Sequence, residues 1–148
     1  MSVLKTLCID PNARINHGWT QGIMDAALLG QTAVAQAMVL DRANTGPAKG
    51  YRFQGFMPHL QDYEPSADHL ANMMAGLQGM LIQPGDDVDN TVVLFPAWPC
   101  EWDVNLRLHA PLATIIDLDY AGGQLVSLEV TPASRRAAVK FVNCINDY

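Results

Sequence analysis

A chain of 148 residues, 49% hydrophobic and 16% charged, has the length and composition of one folded domain or of two small layers sharing a core. Its net charge of −6 disfavours nucleic acid and anionic membranes as partners, because an acidic surface cannot replace the counterions of either. No stretch approaches the ~18 unbroken apolar residues of a membrane span, and the opening MSVLKTLCIDPNAR loses its apolar run at Asp10, too early for a secretory leader.

A cytoplasmic protein is therefore expected. Its three cysteines, Cys8, Cys100 and Cys144, are odd in number and far apart, without CxxC spacing. They are expected to be reduced thiols, neither zinc ligands nor a disulfide framework.

Along the first half the apolar spacing is helical. In GWTQGIMDAALLG, residues 18–30, Trp19, Ile23 and Ala27 share a face and Gly30 is placed to end the helix. QTAVAQAMVLDRA, residues 31–43, predicts a second helix with Val34, Ala37 and Met38 on one side, antiparallel to the first. Residues 44–65 read as a long loop rich in Gly, Pro and aromatics, of a length often reserved for function or for covering a neighbouring subunit. A third helix is predicted over 66–83, with Ser66 as N-cap and a buried stripe of Leu70, Met73, Met74, Leu77 and Leu81.

From Thr91 the period becomes two. TVVLF and DVNLRLHA predict strands, TIIDLDYAGGQLVSLEVTP a hairpin turning at Gly122-Gly123, and AAVKFVNCI a fifth strand. The expected fold is α+β: about three N-terminal helices, residues 1–84, packed with an antiparallel sheet of about five strands, residues 85–148, as one compact unit.

The run DHLANMMAGLQGMLIQ, then LFPAWPCEW, an alternating strand, YAGGQLVSLEVTP and a terminal strand resemble the C-terminal end of glycoside hydrolase family 95, the α-L-fucosidase-like enzymes. Asp68, Gly76 and Met80-Leu81-Ile82-Gln83 match that family's last barrel helix without a gap, and HGWTQGIMDAALLG is similar to its Gly-Trp segment. The resemblance spans roughly residues 12–144 and implies the end of a barrel of paired helices followed by a β-domain. It also implies that Asp68 corresponds to the general base. The family's general acid lies upstream of the matched region, and inverting hydrolysis needs both carboxyl groups. The resemblance thus implies an enzyme-derived fragment without hydrolytic activity, possessing at most carbohydrate or small-molecule binding.

The residues themselves offer plainer readings beside these. A carboxylate in a first helical turn is stabilised by the helix dipole whatever its history, so Asp68 has a structural reason to be there. His59, Asp62, Glu64, Asp68 and His69 crowd HLQDYEPSADH, yet in no recognised metal spacing, so neither metal nor cofactor is expected. His59, Tyr63, Glu64, His69 and Trp98 are the candidate ligand contacts. Aromatic rings such as Trp98 and Trp102 stack on sugars, but they equally fill seams between layers. Three functions follow: the binding fragment, an interaction module that assembles with itself, and a glycosidase completed across a subunit boundary with Glu64 or Glu101 as acid. The helix faces left without the rest of a barrel predict a homodimer joined through the helical half and the 44–65 loop.

Overall fold

The computed structural model describes residues 20–44, 67–85 and 90–145. Among these residues three helices precede all the strands, as an α+β chain requires: α1 Gly22–Leu28, α2 Thr32–Ala43 and α3 Ala67–Leu81. The chain divides between Met80 and Leu81 into two compact units. Trp19, Ser66 and residues 45–65 of the expected 44–65 loop lie outside the described residues.

In the helical unit, α1 ends as the sequence suggests. The Gly30 amide donates to the Ala27 carbonyl at 3.0 Å and the Gln31 amide to the Ala26 carbonyl at 2.9 Å, the paired bonds that close a helix C-terminus. Ile23, Ala26 and Ala27 are buried. The faces of α2 and α3 differ from expectation. On α2 the buried set is Ala35, Met38, Val39 and Arg42, at i, i+3, i+4 and i+7, while Val34 is half-buried and Ala37 exposed. On α3 it is His69, Gly76, Gly79 and Met80. Leu70 and Met74 remain 43% and 68% exposed, and Met73, Leu77 and Leu81 only half-buried.

The reason is close helix packing. A Cβ at Gly76 would fall 2.5 Å from Ile23 Cγ2, and one at Gly79 would fall 2.5 Å from Met24 Sδ. The two glycines let α3 approach α1 where a larger side chain would hold it off. That sets its inward face about one residue away from the stripe of largest side chains.

The described residues of the second unit hold six strands in two three-stranded sheets, not five in one antiparallel sheet. β1 Ile82–Pro84, β2 Val92–Leu94 and β6 Val139–Phe141 form the first; β3 Val104–Ala110, β4 Thr114–Ala121 and β5 Gln124–Thr131 form the second. The sequence predicts helix through residue 83, but the chain becomes strand at Ile82. β1 leaves α3 directly and pairs antiparallel with β2, Ile82 opposite Leu94. β6 follows a short 3-10 helix, Ala133–Ala138, and runs parallel to β2, Val92 opposite Val139. β2 cannot continue into β3 because Phe95, at φ +59, turns the chain out of extended geometry.

The antiparallel sheet keeps the predicted alternation. Ile116, Leu118 and Tyr120 are buried along β4 while Ile115, Asp117 and Asp119 are only half-buried. Gly122 and Gly123, at φ +60 and +77, form its two-residue turn, where both positions require the left-handed conformation that glycine adopts without a Cβ clash.

The expectation of three separate thiols is also corrected. Cys100 and Cys144 form a disulfide, with Cα atoms 5.1 Å apart despite a sequence separation of 44. The return of β6 alongside β2 carries Cys144 back to the loop holding Cys100, a proximity that spacing along the chain conceals. Cys8 lies outside the described residues.

Candidate functional site

At the start of α3, Asp68 is exposed and the next residue, His69, is buried. Successive helical residues point about a quarter-turn apart, so one faces solvent as the other enters the core. The His69 carbonyl accepts a bond from Arg42 Nη1 at 3.1 Å. Arg42 is fully buried, and burial pushes its guanidinium pKa down while Asp41 pulls in the opposite direction. This end of the helical unit is therefore organised around an inward arginine. The described acids of the unit are Asp25, Asp41 and Asp68, one on each helix and all exposed. His59, Tyr63 and Glu64 lie outside the described residues.

Trp98 belongs to the second unit and is 5% exposed. Its indole Nε1 donates to the Trp102 carbonyl at 2.9 Å, and the two indoles meet edge to face at 5.4 Å. Phe95 lies on its other flank at 6.3 Å and also contacts Tyr120 at 5.1 Å and Phe141 at 5.5 Å. These rings fill the seam between the two small sheets, where burying large rings contributes most. Trp98, a candidate ligand contact, presents no open ring face for a sugar. The Tyr120 hydroxyl donates to the Cys100 carbonyl at 2.9 Å, and Asn143 Nδ2 to the Trp98 carbonyl at 3.3 Å, pinning the same loop from two directions. Glu101, the alternative acid, is exposed on that loop.

A polar surface that the sequence reading passed over lies on the antiparallel sheet. Cross-strand pairing aligns Asn105, Asp119 and Ser127 in one row and Arg107, Asp117 and Glu129 in the next. A shallow depression of about 290 Å³ opens there, lined by Asn105, Asp117, Asp119, Ser127 and Glu129. Arg107 Nη1 reaches Asp117 Oδ1 at 3.2 Å, an exposed pair worth at most about 1 kcal/mol. Amide, hydroxyl and carboxylate groups in adjacent rows can bond to the hydroxyls of a small polar molecule. The alternation NxRxH, DxD and SxE on three successive strands was the available signal. Among the described residues, no three His, Cys, Asp or Glu side chains gather closely enough to hold a metal ion. Nor, among those residues, is any helix long and apolar enough to cross a membrane.

Comparison with known proteins finds no match to a family, to a curated protein or to a solved structure.

Proposed function

We propose that the chain is a binding module derived from a family-95-like glycoside hydrolase, without hydrolytic activity of its own, taking a carbohydrate or similar small molecule. One observation carries the non-hydrolytic part. Asp68 stands exposed on the first turn of α3. Inverting hydrolysis requires an acid and a base some ~6.5–9.5 Å apart across the sugar. A carboxylate facing open water at a helix start is better suited to capping than to working as a base near neutrality.

The depression beside Asp117, Asp119 and Glu129 supports the binding part, since its groups match those that bond sugar hydroxyls. A panel of monosaccharides in a thermal-shift assay tests it, because any ligand that binds only the folded state raises the melting temperature. Stabilisation by one sugar, lost in Asp119→Ala, is the expected result. An unmoved melting temperature across the panel removes carbohydrate from the proposal.

A second reading, assembly with another copy of itself, draws on the exposed Leu70 and Met74 of α3 and on Leu28, 59% exposed, on α1. Burying such side chains at about 25 cal/mol per Å² favours association. Light scattering at twice the 16.2 kDa chain mass, reverting to one chain mass in Met74→Glu, would support it.

The disulfide bears on the cytoplasmic placement that the sequence suggests. Such bonds persist in oxidising compartments and are usually transient in the cytosol, so a cytoplasmic protein would form this one reversibly.

A further inference from the structure

We propose that Cys100 and Cys144 form a redox latch that fastens the C-terminal strand to the aromatic seam, closed by a small disulfide and opened by a small thiol. The proposal stands independently of any sugar ligand.

The placement of the pair carries it. β6 is only three residues long and, among the described strands, pairs with β2. Beyond that ladder, the segment is held by the Val142 amide donating to the Leu94 carbonyl at 3.2 Å, by Asn143 bonding to Trp98, and by the disulfide. Yet this segment supplies Phe141 to the ring cluster and the buried Val139 to the core. A strand of three residues has only a short ladder of its own, so a covalent fastening three residues beyond it secures its position. Cys144 also takes φ +69, a left-handed conformation that L residues seldom adopt without an outside constraint. Both cysteines are partly exposed, unlike the buried Phe95 and Tyr120 of the ring cluster, so a small thiol has access to the pair.

The chemistry balances as thiol–disulfide exchange with a low-molecular-weight couple of the glutathione class. One protein thiolate attacks the small disulfide, forming a mixed disulfide and expelling one small thiolate. The second protein thiolate then attacks the bonded protein sulfur and expels the other. Two protein thiols lose two electrons and two protons in total, and one small disulfide becomes two small thiols. Opening reverses each step. The ring so closed spans 44 residues, which include β3, β4, β5 and β6, so opening it frees a long loop of the unfolded chain.

The test equilibrates the full chain in buffers running from reduced to oxidised glutathione, then counts thiols by alkylation under denaturing conditions and intact mass. Of the three cysteines, three are expected to be alkylated at the reduced end and one, Cys8, at the oxidised end, with Cys100 and Cys144 changing together. Oxidation should raise the melting temperature by roughly 10–20 °C, from the loop length and the size of the unit. It should also slow amide exchange across residues 139–144. Cys8→Ser should keep the whole shift and Cys144→Ser should lose it. Three alkylated cysteines throughout would show that the bond does not form. One alkylated cysteine throughout would show a permanent staple, and a bond that forms and breaks without moving the melting temperature would show that nothing is latched. Each of these overturns the proposal, and all are read on the native sequence, whether or not the variants fold.

Discussion

Gly76 of α3 lies directly against Ile23 of α1, so near that a methyl group at Gly76 would come within 2.6 Å of the Ile23 Cβ. Because Cβ is bonded to the backbone, Ile23 cannot swing aside as a flexible chain end could.

In an open helix, Gly→Ala stabilises by ~1 kcal/mol through propensity alone. Here Gly76→Ala is expected to destabilise instead, by roughly 1–3 kcal/mol net, the usual range for forcing a methyl into a filled contact. Chemical denaturation of the helical unit's signal measures it. Combining it with Ile23→Ala should recover part of the loss, because the second change vacates the space the first one needs. A Gly76→Ala protein as stable as the parent would mean that α3 does not pack on α1 this closely.

The Tyr120 hydroxyl offers a test with a definite pH sign. Burial raises its pKa above the ordinary phenol value, and the nearby charges of Asp103 and Glu101 raise it further. A group whose folded pKa exceeds its unfolded value contributes stability that is complete below the unfolded pKa, near pH ~10 for tyrosine, and lost as pH climbs through the folded pKa. Ultraviolet titration should find a tyrosine ionising above the ordinary phenol range. Tyr120→Phe should abolish that late step and cost about 1 kcal/mol, by leaving the Cys100 carbonyl without its donor.

The turn between β3 and β4 places Leu112 and Ala113 at φ +61 and +51, both left-handed and neither glycine. Each such residue costs roughly 1–2 kcal/mol relative to one that tolerates the conformation. Leu112→Asn with Ala113→Gly is therefore expected to raise stability by about 1 kcal/mol, allowing for the extra freedom glycine gives the unfolded chain. The paired control, Gly123→Val in the other hairpin turn, should lower it. Denaturant midpoints of the two proteins decide, and a loss in the first would show that the β3–β4 turn prefers its native residues.

These comparisons indicate what the sequence could and could not convey. The strands of the antiparallel sheet are legible because Val104 to Leu108 and Thr114 to Tyr120 alternate with period two, and a Gly-Gly pair marks the turn from β4 to β5. The helices were legible as helices, but their inward faces were not. On α2 the buried row includes Arg42, and on α3 it includes His69 and two glycines, residue types that a search for large apolar side chains passes over. The close approach at Gly76 depends on α1, which lies more than forty residues earlier in the sequence. Along the sequence Ile82 continues the apolar run of α3 and so suggests helix, whereas pairing with β2 makes Ile82 and Gln83 a strand. The disulfide was hidden for the same kind of reason, since only the parallel return of β6 joins its ends. Of the candidate site residues, Asp68 is exposed, His69 and Trp98 are buried, and His59, Tyr63 and Glu64 lie outside the described residues. The polar rows at Asp117 and Asp119 were visible as alternation but became a surface only once three strands were aligned.

Hydrolysis of aryl glycosides by the purified full chain tests the proposed function most directly. General acid and base groups each contribute ~10²–10⁴-fold, so a chain lacking a working pair should release no more aryl alcohol than buffer, and Asp68→Asn should match the parent. Sustained turnover of an aryl fucoside or galactoside, abolished by Asp68→Asn in a protein that still folds, would contradict the non-hydrolytic reading and establish Asp68 as a catalytic base.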